Sequence, residues 1–104
     1  MIRLIDQSLF AELIGAARQA PRLRVHRNFH PDDAYLAHRL LIAIEPGSYV
    51  LPHRHLDPGK DETLLVLRGS LGVIFFDAAG QPGRCHVLRA GGETLGVDIP
   101  HGVY

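Results

Sequence analysis

Two imidazoles separated by one residue, His53-Arg54-His55, are the part of this sequence best equipped for chemistry. In an extended strand the side chains at i and i+2 leave the same face, so one ion can be held by both rings. Glu62 follows after six intervening residues and opens a strand candidate. A hairpin folding that strand back would carry its carboxylate toward the imidazoles. Two nitrogens and an oxygen suit a first-row divalent ion such as Fe, Mn, Ni or Zn, and disfavour Ca or Mg, which prefer all-oxygen shells. By spacing alone, the same pair also reads as two solvated strand residues. Arg54 is expected on the opposite face from either histidine.

The elements that must position these residues are legible in the punctuation of the chain. Asp6 is placed to cap a helix running through Ala20, because Leu9, Phe10, Leu13, Ile14 and Ala17 recur at helical spacing and Pro21 ends the pattern. From Arg22 onward, short apolar runs alternate with Gly, Pro and Asp, the pattern of an all-β sandwich or barrel. The strands expected are Leu23–Arg27, Ala37–Ile44, Tyr49–His53, Glu62–Leu67, Leu71–Phe76, Arg84–Leu88 and Thr94–Ile99. Short turns between several of them imply antiparallel neighbours. Leu71–Phe76 is apolar at nearly every position, so both of its faces are expected to be covered.

Composition narrows the partners. The 104 residues carry 11 basic and 11 acidic side chains, scattered along the chain, which provides no electrostatic footprint for nucleic acid or an anionic membrane. Cys85 is the single cysteine, which excludes an intramolecular disulfide and a cysteine-rich zinc site and fits a reducing compartment. It reads as a small side chain in a strand. The N-terminal segment is polar too early for a signal peptide and no apolar run reaches membrane-span length, so a soluble, cytoplasmic protein is expected.

The frame around the histidine pair adds to these readings. Gly47, five residues, His53-Arg54-His55, six residues, Glu62, six residues, Gly69 and later Pro100-His101-Gly102 follow one another. This series resembles the two signature motifs of the cupin superfamily, Gly-x5-His-x-His-x3,4-Glu-x6-Gly and Pro-x-Gly-x2-His. A closer resemblance is to the WbuC-type cupin metalloproteins found among bacterial surface-polysaccharide genes. It is carried by Asn28-Phe29-His30, the run from Arg39 to Val50, Pro52-His53-Arg54-His55, Lys60-Asp61-Glu62-Thr63 and Val97-Asp98-Ile99-Pro100, and spans about four-fifths of the chain.

The resemblance implies an all-β cupin barrel (a double-stranded β-helix, or jelly roll) over residues 22–104, preceded by a short N-terminal helical extension over 1–21. It further implies a bound divalent transition metal on His53, His55 and Glu62, and a homodimer. The turn before Glu62 is longer than the motif's by two residues, which costs little closure entropy and need not displace the carboxylate. The fourth histidine of the motif would directly follow Tyr104, so further strands and that ligand are expected beyond this residue. His101, inside the Pro-x-Gly turn, is expected at the rim.

Four further residues are pocket candidates, each with a plainer alternative. Asn28 and His30 fit the mouth of a pocket, or a turn and the surface. Arg39 can clamp an anion if its strand parity faces inward, and is otherwise a solvated charge. Tyr49 shares parity with the histidines and either lines the cavity or packs in the core. His26, His38 and His86 have no partner at ligand spacing and are expected to be structural or superficial.

Two functions remain open. One is a metal-dependent enzyme acting on a small molecule, such as a sugar or sugar nucleotide in surface-polysaccharide metabolism. The alternative is a non-catalytic module whose metal organises a pocket for a carbohydrate or carboxylate; the absence of an evident acid–base pair in the sequence keeps it in play. No catalytic base can be named from the sequence.

Overall fold

The computed structural model describes residues 1–51, 53–54 and 59–104. It divides into two compact units, Met1–Val50 and Leu51–Tyr104.

The first unit begins with α1, Gln7–Gln19. Asp6 caps it as the sequence predicts, its backbone extended and its carboxylate accepting the Leu9 amide at 3.0 Å. Ala20 is extended ahead of Pro21, as the residue before a proline prefers, and the helix stops there. Strands β1, Arg24–Asn28, and β2, Leu40–Ile44, pair antiparallel with Arg24 opposite Ile44 and Asn28 opposite Leu40. The helix packs on this ribbon, burying Leu13 and Ala17. An Arg27–Glu12 ion pair at 2.9 Å marks the covered face, on which Val25, Leu41 and Ala43 are half-buried. On the opposite face Leu40, Ile42 and Ile44 stay exposed.

After β2, Glu45-Pro46-Gly47-Ser48 forms a turn in which the Ser48 amide donates to the Glu45 carbonyl at 3.1 Å. Gly47 sits at φ 93°, the left-handed position that a proline-initiated type II turn requires at its third residue. The strand expected at Tyr49–His53 does not form over its described residues. The Tyr49 carbonyl accepts from the Arg24 guanidinium at 3.2 Å instead of entering a ladder. Pro52 has no amide to donate, and its own placement lies outside the described residues.

The second unit contains two antiparallel ribbons. β3, Glu62–Leu65, pairs with β6, Gly96–Ile99, in the register Glu62 opposite Ile99 and Leu65 opposite Gly96. β4, Ser70–Phe76, pairs with β5, Pro82–Arg89, around a turn whose Asp77 carboxylate accepts the Ala79 and Gln81 amides, each at 2.9 Å. A register irregularity falls between Ile74 and Phe76. Leu88 is 1% exposed and anchors this unit's core. Contrary to the expectation for Leu71–Phe76, its two faces are unequally covered among the described residues, and Phe76, past the register irregularity, is half-buried as well. Leu71, Val73 and Phe75 are half-buried, whereas Ile74 and its cross-strand neighbours Cys85 and Val87 are exposed.

The described residues thus form one helix and three two-stranded antiparallel sheets, a β-rich fold with an N-terminal helix. No helix among them is long and apolar enough to cross a membrane.

Candidate functional site

The β3–β6 ladder does the most to organise the site. Glu62 is the first residue of β3 and faces Ile99, the last of β6, so it stands at the ladder's end beside Pro100-His101-Gly102. That turn is set by its sequence. Proline fixes the backbone entering it, and Gly102 takes φ 83°, where a side chain would be strained. Asp61, immediately before β3, closes the turn from the other strand. Its Oδ1 accepts both the His101 amide and the His101 ring Nδ1, each at 2.8 Å. Hydrogen bonds from His101's amide, then from its ring, hold the Asp61 carboxyl below the ordinary carboxylate range, with the imidazole's charge adding to the effect. Because a carboxylate can only accept, the proton of the neutral His101 ring is on Nδ1.

A second contact draws the histidine segment to the same stretch of chain. The Arg54 guanidinium lies 4.6 Å from the centroid of the Tyr104 ring, a cation–π distance. Tyr104 is in turn tied to the second ribbon, its carbonyl accepting the Phe76 amide at 3.2 Å. Residues 53–54, 61–62 and 99–104 are therefore linked by three direct contacts, although up to 50 positions separate Arg54 from Tyr104 in the sequence. His53 is exposed and its Nδ1 lies 3.1 Å from the Leu51 carbonyl, to which a protonated Nδ1 donates. His55 lies outside the described residues. Among the described residues no three His, Cys, Asp or Glu side chains gather as an ion site, and the expected trio includes His55.

The pocket candidates fall in the first unit, with roles the sequence did not specify. Asn28 ends β1 opposite Leu40. His30 is not superficial: it is 8% exposed, its Nδ1 accepts the Arg39 amide at 3.2 Å, and its ring stacks parallel on His38 with centroids 4.2 Å apart. His38, set aside for lack of a partner, has one here and also donates from Nε2 to the Asp33 carbonyl at 2.9 Å. Arg39 uses its guanidinium on the Ala37 and Phe29 carbonyls and on the Tyr35 ring face, 5.7 Å from its centroid. Tyr49 is 67% exposed and does not pack in a core.

Asp61 is the residue that sequence reasoning missed. The available signal was its place directly before Glu62, which fixes it opposite the Pro100 turn once the β3–β6 register is known.

A family model described as a domain of unknown function, DUF6016, matches residues 5–88. The chain belongs to the DUF6016 family. The DUF6016 match takes in α1 and most of the sheet residues, with His53, His55, Asp61 and Glu62 inside it and β6 and His101 beyond it. No curated protein and no solved structure matches the chain.

Proposed function

We propose that this DUF6016 protein is a metal-binding protein of the cupin type that acts on a small molecule, with His53, His55 and Glu62 as the metal's ligands. The observation that carries the reading is the convergence of three remote segments. Glu62 pairs beside the Pro100 turn, Asp61 bonds to His101, and Arg54 stacks on Tyr104. These are the segments in which the two cupin-like motifs lie, and a cupin barrel requires them to meet.

The donor set fits a transition metal: two imidazoles and one carboxylate match Fe, Mn, Ni or Zn in softness and charge. A bound ion supplies Lewis-acid polarisation of a ligand oxygen at its open positions. The chain's own residues do the rest. The ladder fixes Glu62 at a sheet end, and the Leu51 carbonyl orients the His53 ring, the kind of outer support that metal-ligating histidines use. The ligand class we favour is a sugar or sugar nucleotide, in keeping with the polysaccharide-gene resemblance, and the protein is read as cytoplasmic. A homodimer is part of the same proposal. The open β4–β5 face carrying Ile74 and Val87 is suited to pairing.

Metal-loaded protein assayed against a panel of nucleotide sugars, by product analysis and by calorimetry in parallel, tests this reading. Turnover supports the enzyme. Saturable binding without turnover supports the metal-organised binding module, and neither with any metal overturns both.

A further inference from the structure

The sequence supplies no acid–base pair, yet the fold brings a carboxylate and an imidazole together. Asp61 and His101 are 40 positions apart and meet because the β3–β6 register sets the residue before Glu62 against the turn after Ile99. One carboxylate oxygen receives both the backbone amide and the ring Nδ1–H of the same histidine, each at 2.8 Å. The first bond fixes where His101 sits and the second fixes its ring, so little freedom is left to lose when a ligand arrives. Pro100 before it and the left-handed Gly102 after it, at φ 83°, hold the backbone in the same pose. With Nδ1 committed, Nε2 is the nitrogen left to act, and among the described residues it makes no hydrogen bond. The side chain is 43% exposed, enough for a small molecule to reach it.

We propose that Asp61 and His101 form an acid–base dyad, in which Asp61 holds the ring as the Nδ1–H tautomer and Nε2 accepts a proton from a hydroxyl of a bound polyhydroxylated ligand. The step balances within the site. Nε2 takes the hydroxyl proton, the O–H electron pair stays on the ligand oxygen as the alkoxide, the ring becomes an imidazolium facing the Asp61 carboxylate, and the same N–H returns the proton to that oxygen. No oxidant or other co-reactant enters. The choice of ligand rests on the function proposed above; the tautomer and the reactivity of Nε2 do not.

A plain turn clamp would explain the two hydrogen bonds but not an activated Nε2, and the experiment separates the two. The protein is treated with chelator and held at pH 8. Long-range 15N–1H correlation spectra report the tautomer of each histidine, and peptide mass spectrometry reports carbethoxylation by diethyl pyrocarbonate. His101 is expected as Nδ1–H and to react several-fold faster than His26, an exposed strand histidine. D61N keeps an oxygen acceptor but not the charge, so its His101 rate falls toward that of His26. D61A loses the tautomer preference as well. A wild-type His101 protonated on Nε2, or a D61N rate equal to wild type, overturns the dyad. Since no metal is present, a protein that binds no metal can still pass, and one that fails here can still bind metal.

Discussion

Gly96 is the position where the β3–β6 pairing can be challenged with one methyl group. A Cβ built there meets the Leu64 carbonyl oxygen far inside contact distance and the Leu65 Cδ2 at 2.7 Å. The leucine methyl is the end of a flexible side chain and can rotate away. The carbonyl is backbone and can retreat only by moving β3, which carries Glu62 at its other end. Overpacking of this kind costs about 1–3 kcal/mol. Replacing glycine also restricts the unfolded chain, which offsets about 0.4–1 kcal/mol of that loss. The expected net effect of Gly96→Ala is a destabilisation of about 0–2.6 kcal/mol, centred slightly above 1, read as a lower urea midpoint at unchanged slope. Amide exchange should quicken first at Val66, whose N–H donates to the Leu95 carbonyl at 2.9 Å, and through the rest of this ladder. An alanine variant as stable as wild type, with Val66 equally protected, would refute the register and with it the placement of Glu62 beside the Pro100 turn.

Three other outcomes follow from the same geometry. Leu88→Ala removes the most buried large side chain of the second unit and should cost about 2–5 kcal/mol in chemical denaturation, unlike Val87→Ala on the open face. Asp6→Ala removes the carboxylate that accepts the Leu9 amide and should cost about 1 kcal/mol, with loss of helical signal confined to the first turn. Hydrogen bonds from the His101 amide and ring hold the Asp61 carboxyl below its ordinary range, so they stabilise the metal-free protein fully above the ordinary carboxylate pKa and fade as pH falls through the lowered one. Carboxyl chemical shifts in wild type and H101A should show this, with the inflection returning toward the ordinary value in the variant.

Local signals were legible in the sequence and non-local ones were not. Asp6, the spacing from Leu9 to Ala17 and Pro21 specify α1 to within a residue, because capping and periodicity act within a few positions. Apolar runs between turn residues likewise located β1 to β6 closely. The exception is the expected strand at Tyr49–His53, where a long-range Arg24 contact to the Tyr49 carbonyl competes with a ladder. Pairing is a different matter. Nothing in the residues near Glu62 says that Ile99 is its neighbour, and without that register neither the Asp61–His101 bond nor the Arg54–Tyr104 contact can be anticipated. The His30–His38 stack was hidden for the same reason, since eight positions and a loop separate two rings that share no strand parity. Continuous hydrophobicity in Leu71–Phe76 overstated its burial: Ile74 faces outward with Cys85, its partner across the hairpin.

Metal titration of chelator-treated protein decides whether His53, His55 and Glu62 hold an ion. Mn, Fe, Ni and Zn are added in turn under anaerobic conditions, and stoichiometry is read by native mass spectrometry for wild type, H53A, H55A and E62Q, with far-ultraviolet circular dichroism on each. One tightly held ion per wild-type chain is expected for at least one of these metals, with loss of that ion in every variant while the β-sheet spectrum persists. Wild-type protein that binds none of the four, or variants that bind as it does, would contradict the assignment of His53, His55 and Glu62.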